Sequence, residues 1–224
     1  MGQTLLGRAA FDRLGRSLDL SADGHRLAAG ATQFKGEGPG YVQVYDFNGT
    51  GWTQIGQDVY GDVDQDVFGR DVALSADGSI LACGANLASN PNGDEDAGLA
   101  RAYRLTEEDG DYVWTQMGES IFGTFAGDGL GLTVALSADG FRLIVGASQK
   151  KNGVGYVRVL DYDEANDSWV PLGQELVGEN IPDKFGSDVQ ISSDGNRLAV
   201  GVIASDGNGD DAGQVQVYNI AELE

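Results

Sequence analysis

Polar and apolar positions alternate along this chain in short runs. In residues 69–75, GRDVALS, Val72 and Leu74 fall on one face and Asp71 and Ala73 on the other. That period of two predicts a half-covered strand. Ser75-Ala76-Asp77-Gly78 then predicts a tight turn, with an aspartate that bonds its own backbone and a glycine that supplies positive φ. The next run, 79–84, is apolar throughout, as expected of a strand covered on both faces. A variable loop at 85–97 leads to a third strand at 98–105, and a fourth carries Trp114 and Met117.

The same pattern occurs four times, in uninterrupted 24-residue frames at 7–30, 61–84, 123–146 and 178–201. Every frame repeats an aspartate (Asp12, Asp66, Asp128, Asp183), then a glycine (Gly15, Gly69, Gly131, Gly186). An Asp-Gly turn follows, at Asp23, Asp77, Asp139 and Asp194, and then a closing glycine. Third strands read GYVQVY at 40–45, GYVRVL at 155–160 and GQVQVY at 213–218. Fourth strands begin at Trp52, Trp114 and Trp169. A fixed period of this kind marks a repeat architecture. Four-stranded antiparallel units with glycine on the inner strand predict an all-β fold, a β-propeller of four blades in repeat frames 7–60, 61–122, 123–177 and 178–224. Residues 1–7 match the tail of a fourth strand, and the chain reaches a third strand at 214–220. Pairing of 2–7 with 214–220 is expected to complete the last blade and close the ring. A segment of a longer array, or half of a ring built from two chains, would carry the same pattern.

The repeats resemble FG-GAP repeats, through Phe68-Gly69 with Gly84-Ala85 and through Leu14-Gly15, Leu130-Gly131 and Phe185-Gly186 with their closing glycines. The nearest subtype is the one with LSADG, GxVxVY and WxQxG motifs. The resemblance spans almost the whole chain. It implies a propeller of the kind found in integrin α-chains, and an extracellular or cell-surface setting. Integrin-type repeats hold calcium in a long acidic loop between strands one and two. Here that turn is too short to supply about six oxygens, so the family site does not carry over to the Asp-Gly turns.

Charge narrows the function. With 35 acidic against 14 basic residues the net charge is -21, which disfavours nucleic acid and anionic membranes as partners. No apolar run approaches transmembrane length and no signal-peptide pattern precedes the first frame. One histidine, one cysteine and no Gly-x-Ser-x-Gly elbow argue against a nucleophilic triad, and zinc ligands are lacking. Cys83 lies in an apolar run and reads as a small buried hydrophobe. Paired carboxylates are plentiful, but no spacing singles out a glycosidase pair.

The recurring aspartates Asp12, Asp66, Asp128 and Asp183 read as caps on the turn into strand one, with a ring of carboxylates as the alternative. Asp62, Asp64 and Asp66 have calcium-loop spacing in one repeat only and read as a solvated turn. The loops between strands two and three of repeats two and four are richer, with Asn92, Asp94 and Asp96 in one and Asp206, Asn208, Asp210 and Asp211 in the other. These are the candidate calcium ligands and partner contacts. The matching loops at 32–40 and 148–155 lack them. The tryptophans recur at one position and read as packing between blades; the alternative is stacking on sugars. The resulting expectation is a non-enzymatic scaffold binding a protein or glycan through variable acidic loops, calcium being the one metal expected. The alternatives are a lectin-like module, a carboxylate-based carbohydrate enzyme, and a structural subunit that self-associates to complete a ring.

Overall fold

The computed structural model describes residues 2–33, 38–148 and 153–223; residues 34–37 and 149–152, which fall in two of the stretches compared above, lie outside that description with Met1 and Glu224. The chain forms four antiparallel sheets arranged as the blades of a β-propeller. Blade one joins β1 (Leu14–Leu20), β2 (Arg26–Ala31), β3 (Tyr41–Phe47) and β4 (Trp52–Gln54), with β5 (Val59–Tyr60) farther along β3. Blade two holds β6 (Val72–Leu74), β7 (Ile80–Ala85), β8 (Leu99–Glu108) and β9 (Asp111–Phe122). Blade three holds β10 (Thr133–Leu136), β11 (Arg142–Ala147), β12 (Tyr156–Asp163), β13 (Ser168–Pro171) and β14 (Leu176–Val177). Blade four has β15 (Phe185–Ile191), β16 (Arg197–Val202) and β17 (Gln214–Asn219), followed by a 3₁₀ turn at Ile220–Glu222.

Each Asp-Gly turn is locked by its own side chains. Ser75 Oγ donates to Asp77 at 2.7 Å and accepts the Ile80 N–H at 2.9 Å. Ser21, Ser137 and Ser192 repeat both bonds in their blades. The turns also touch one another. The Ala22 N–H donates to the Ala76 carbonyl, Ala76 to Ala138, and Ala138 to Ser193, at 2.8, 2.8 and 3.1 Å. A directed relay therefore runs from blade one to blade four.

The core lies between blades rather than within them. Val42 and Val44 of blade one pack on Phe68, Val72, Leu81 and Cys83 of blade two. Ala82 and Ala100 of blade two pack on Val134, Leu143 and Val145 of blade three. Ile144, Val157 and Val159 of blade three pack on Val189, Leu198 and Val200 of blade four. Cys83 is fully buried there, as expected, and burial pushes its thiol up. Small residues set the spacing. A Cβ on Gly30 would lie 2.3 Å from the Gly69 carbonyl oxygen of the next blade, one on Gly84 2.0 Å from that of Gly131, and one on Gly146 2.6 Å from that of Gly186.

The expected closure by residues 2–7 is not formed. Among the described residues blade four has three strands, and residues 2–7 contribute none. Gln3 instead brackets Trp52, accepting its N–H at 2.6 Å and donating to its carbonyl at 3.1 Å. Gln57 grips Trp114 of the next blade in the same way, at 2.9 and 2.8 Å. Residues 2–7 thus make toward blade one the contact that Gln57 makes toward blade two, but they form no strand and do not pair with blade four. Exposure gives the same result. Leu18 and Val217 are 60% and 67% exposed, whereas their counterparts Val72 and Val44 are 5% and 0% exposed. The blades form an arc whose two end faces do not cover each other.

Gly84→Ala is expected to destabilise the fold by ~3 kcal/mol or more, since its Cβ meets backbone that cannot rotate away. Gly2→Ala, with nothing within 4 Å, is expected to leave the melting temperature unchanged. Thermal denaturation of the two variants checks the pair.

Candidate binding face

Strand alternation puts the loops between strands two and three on the same end of the blades as the turns into strand one. Hydrogen bonds join the two sets: Leu87 N–H donates to the Asp66 carbonyl and Ala204 N–H to that of Asp183, at 3.4 and 3.1 Å. This end is the candidate binding face, and its foundation is the recurring aspartate. Asp12, Asp66, Asp128 and Asp183 are all buried. Asp12 accepts N–H groups of Arg8 and Ala9 at 2.7 and 2.8 Å and the Tyr41 hydroxyl at 2.7 Å. Asp128 accepts those of Thr124 and Phe125, each at 3.0 Å, with the Tyr156 hydroxyl. Asp66 and Asp183 accept one backbone N–H each, from Val63 and Asn180, and Asp183 also accepts the Asn180 side-chain amide. They are caps, not a ring of ligands. Burial pushes the Asp12 carboxyl up, but bonds from Gln33, Tyr41, Ala9 and Arg8 outweigh it and hold the group below its ordinary value. Asp66 lacks that set, and burial leaves its carboxyl raised.

The acidic loop of blade two is ordered by Asn90, the amide that opens it, which was not among the candidate ligands. Its Oδ1 accepts the N–H groups of Asn92 and Asp94, and its Nδ2 donates to Asp94 at 2.9 Å and to the Gly123 carbonyl at 3.2 Å. The loop then docks on blade three, where Gly127 and Gly129 N–H groups donate to the carbonyls of Glu95 and Asp96. In blade four, Asp206 accepts the Asp211 N–H at 2.8 Å, and the side chains of Asp206, Asn208, Asp210 and Asp211 are exposed. Asn92 and Asp96 are exposed too, and Asp94 is half-buried. Among the described residues no three Asp, Glu, His or Cys side chains converge as metal ligands, in these loops or elsewhere. Asp62 is taken by a bidentate ion pair with Arg101.

Toward the axis lies a cavity of ≈ 520 Å³ lined by Arg16, Arg70, Asp71, Thr133, Lys184 and Asp188, among others. All four blades contribute. Its carboxylates are largely committed to backbone: Asp71 accepts the Val134 N–H of the next blade at 2.8 Å, and Asp188 that of its neighbour Val189. Beside it, Asp19 accepts the Leu74 N–H at 2.6 Å. Burial raises the Asp71 carboxyl to about 6, with help from the charges of Asp188 and Asp19. Arg16 and Arg70 follow the inner-strand glycine in two frames, the one sequence signal that would have placed them here.

Trp114 is buried and donates its indole N–H to the Ile55 carbonyl of blade one at 3.2 Å. Trp169 does the same toward Met117 of blade two at 3.0 Å. Both pack between blades as expected. Trp169 also lines a flank cleft of ≈ 500 Å³ with Glu119, Arg158, Asp167 and Glu175, which no sequence spacing signalled.

No protein-family model matches this sequence, and no curated protein matches it. Solved structures share the fold. Sqt1 of Chaetomium thermophilum, solved bound to the N-terminus of ribosomal protein L10, is 15% identical over 91% of this chain and 45% of that one, with a TM-score of 0.59. A Bacteroides fragilis protein described as a 6-phosphogluconolactonase is 17% identical over 73% of this chain and 39% of that one, at 0.50. A prolyl endopeptidase is 15% identical over 94% of this chain and 27% of that one, at 0.51. The chain thus spans less than half the length of each. Propellers of this kind include one bound to a protein segment and others with catalytic names.

Asp71 supplies a pH test. Its raised carboxyl favours folding fully below the ordinary carboxylate value of 3.8, and that contribution is lost as pH rises through about 6. Asp71→Asn keeps an acceptor for Val134 and never ionises. It is expected to stabilise the protein by ~1–3 kcal/mol at pH 8 and by little near pH 4. Melting curves across that range check the sign.

Proposed function

We propose that the protein is a non-enzymatic scaffold that binds a basic, extended protein segment across the loop-bearing face. One observation carries this reading: the exposed acidic loop of blade four and the Asn90-ordered loop of blade two project from the same end of a rigid array. Loops already held by their own hydrogen bonds lose little freedom on binding. The net charge of -21 steers basic partners toward them. The Sqt1 complex supports a protein segment as the kind of ligand a propeller takes. Binding without catalysis is supported by the hub, where Asp71 and Asp19 each accept a backbone N–H of the following blade. Calcium is not needed for this reading, since Asn90 already ties the blade-two loop.

A lysine-rich peptide probe is expected to bind with an affinity that falls as salt rises. Replacing Asp206, Asp210 and Asp211 together by asparagine is expected to weaken it about tenfold. Replacing Glu107, Glu108 and Asp111, exposed at the opposite end, by their amides is expected to change little. Equal losses in the two triple variants would reduce the interaction to bulk charge and sink the proposal.

The flank cleft favours a second reading, a neutral glycan stacked beside Trp169. Titration with neutral oligosaccharides against the protein and Trp169→Phe decides it.

A further inference from the structure

The arc ends in two bare faces, and each is a copy of a surface that is covered elsewhere in the same molecule. On blade one the uncovered positions are Leu18 and Leu20; their counterparts Val72 and Leu74 are buried under blade one, and Val134 under blade two. On blade four they are Val215 and Val217; their counterparts Val42, Val44, Ala100, Ala102, Val157 and Val159 are buried under the following blade. We propose that the rear face of blade four takes the front face of blade one of a second copy of this chain, and that two copies close a ring through two identical contacts of this kind.

Three further features of blade four are matched to a following blade that the described residues do not supply. The first is Gly201. Its sisters Gly30, Gly84 and Gly146 each lie under a carbonyl oxygen of the next blade, at distances no Cβ could tolerate. At Gly201 a Cβ would meet nothing nearer than its own Asp188, at 3.5 Å, so within one chain the absent side chain serves no packing purpose. The second is Asp188. Its counterpart Asp71 accepts the Val134 N–H of the following blade, and the residue equivalent to Val134 in blade one is Leu18. Asp188 is exposed, placed to accept the Leu18 N–H of a second copy. The third is the turn relay. It runs from Ala22 through Ala76 and Ala138 to Ser193, and a second copy would extend it from the Ser193 N–H to Ala22.

The sheet edge fits as well. In blades one and three the short strands β5 and β14 add to β3 and β12, pairing Tyr41 with Tyr60 and Tyr156 with Val177. The equivalent of β5 before blade one is Leu5-Leu6, and Leu6 is among the most exposed apolar residues of the chain. In a second copy that pair falls beside Gln214 and Val215, where the described residues give blade four no fourth strand. The strand exchange expected within one chain is then made between two. Because the contact is head to tail, a single one would leave a bare pair of faces and keep growing; two contacts around a common axis end the series.

Light scattering after size exclusion tests this at an ionic strength that screens the like charges of the copies beyond about 8 Å. The expected mass is twice the 23.5 kDa of one chain. Val217→Lys, Leu18→Lys and Gly201→Ala are each expected to give the single-chain mass with an unchanged far-UV spectrum, since each site has room for the new side chain in one copy. Val170→Lys, on the exposed outer strand β13, is expected to keep the doubled mass. A single-chain mass for the unmodified protein at every concentration, an open ladder of masses, or a doubled mass that survives Gly201→Ala and Val217→Lys would each overturn the proposal.

Discussion

Everything in this structure depends on how closely the backbone of one blade approaches the next. Gly30, Gly84 and Gly146 allow an inner-strand carbonyl of the following blade to sit where a side chain would begin. That contact fixes the distance between sheets near the axis. Farther out, valine and leucine fill each gap, joined by tryptophan between blades one and two and between blades two and three, so each pair of blades forms a wedge. The wedge shape turns a linear repeat into an arc, and the arc brings side chains from all four blades to one hub cavity.

The binding face follows from the same geometry. A buried aspartate at the head of each inner strand gathers backbone N–H groups and so fixes where the neighbouring loops start. Above that constant layer the loops differ in length and chemistry. Division between an invariant base and variable tips lets a propeller change what it binds without changing its fold.

Much of this was legible in the residues. The alternation around Val72 and Leu74, the Ser-Ala-Asp-Gly turns and the tryptophan positions gave the strands, the hairpins and the packing between blades. Three things were not. Closure depends on the angle summed over three wedges, which no local pattern encodes, so residues 2–7 could be recognised as an outer-strand tail without revealing whose. The ordering of the blade-two loop rests on Asn90, which occurs in one repeat and has no periodic signal. The hub cavity combines Arg16, Asp71, Thr133 and Lys184 from separate frames, and only the curvature brings them together.

The relay of turns has a direction, since Ala22, Ala76 and Ala138 each give an N–H to the turn of the following blade. A unit inserted upside down would carry its turn to the other end and leave that seam without its bond. A unit inserted the right way round finds both halves of its bond waiting and disturbs neither neighbour. Tandem duplication therefore lengthens this architecture one blade at a time, while inversion is barred by the backbone alone.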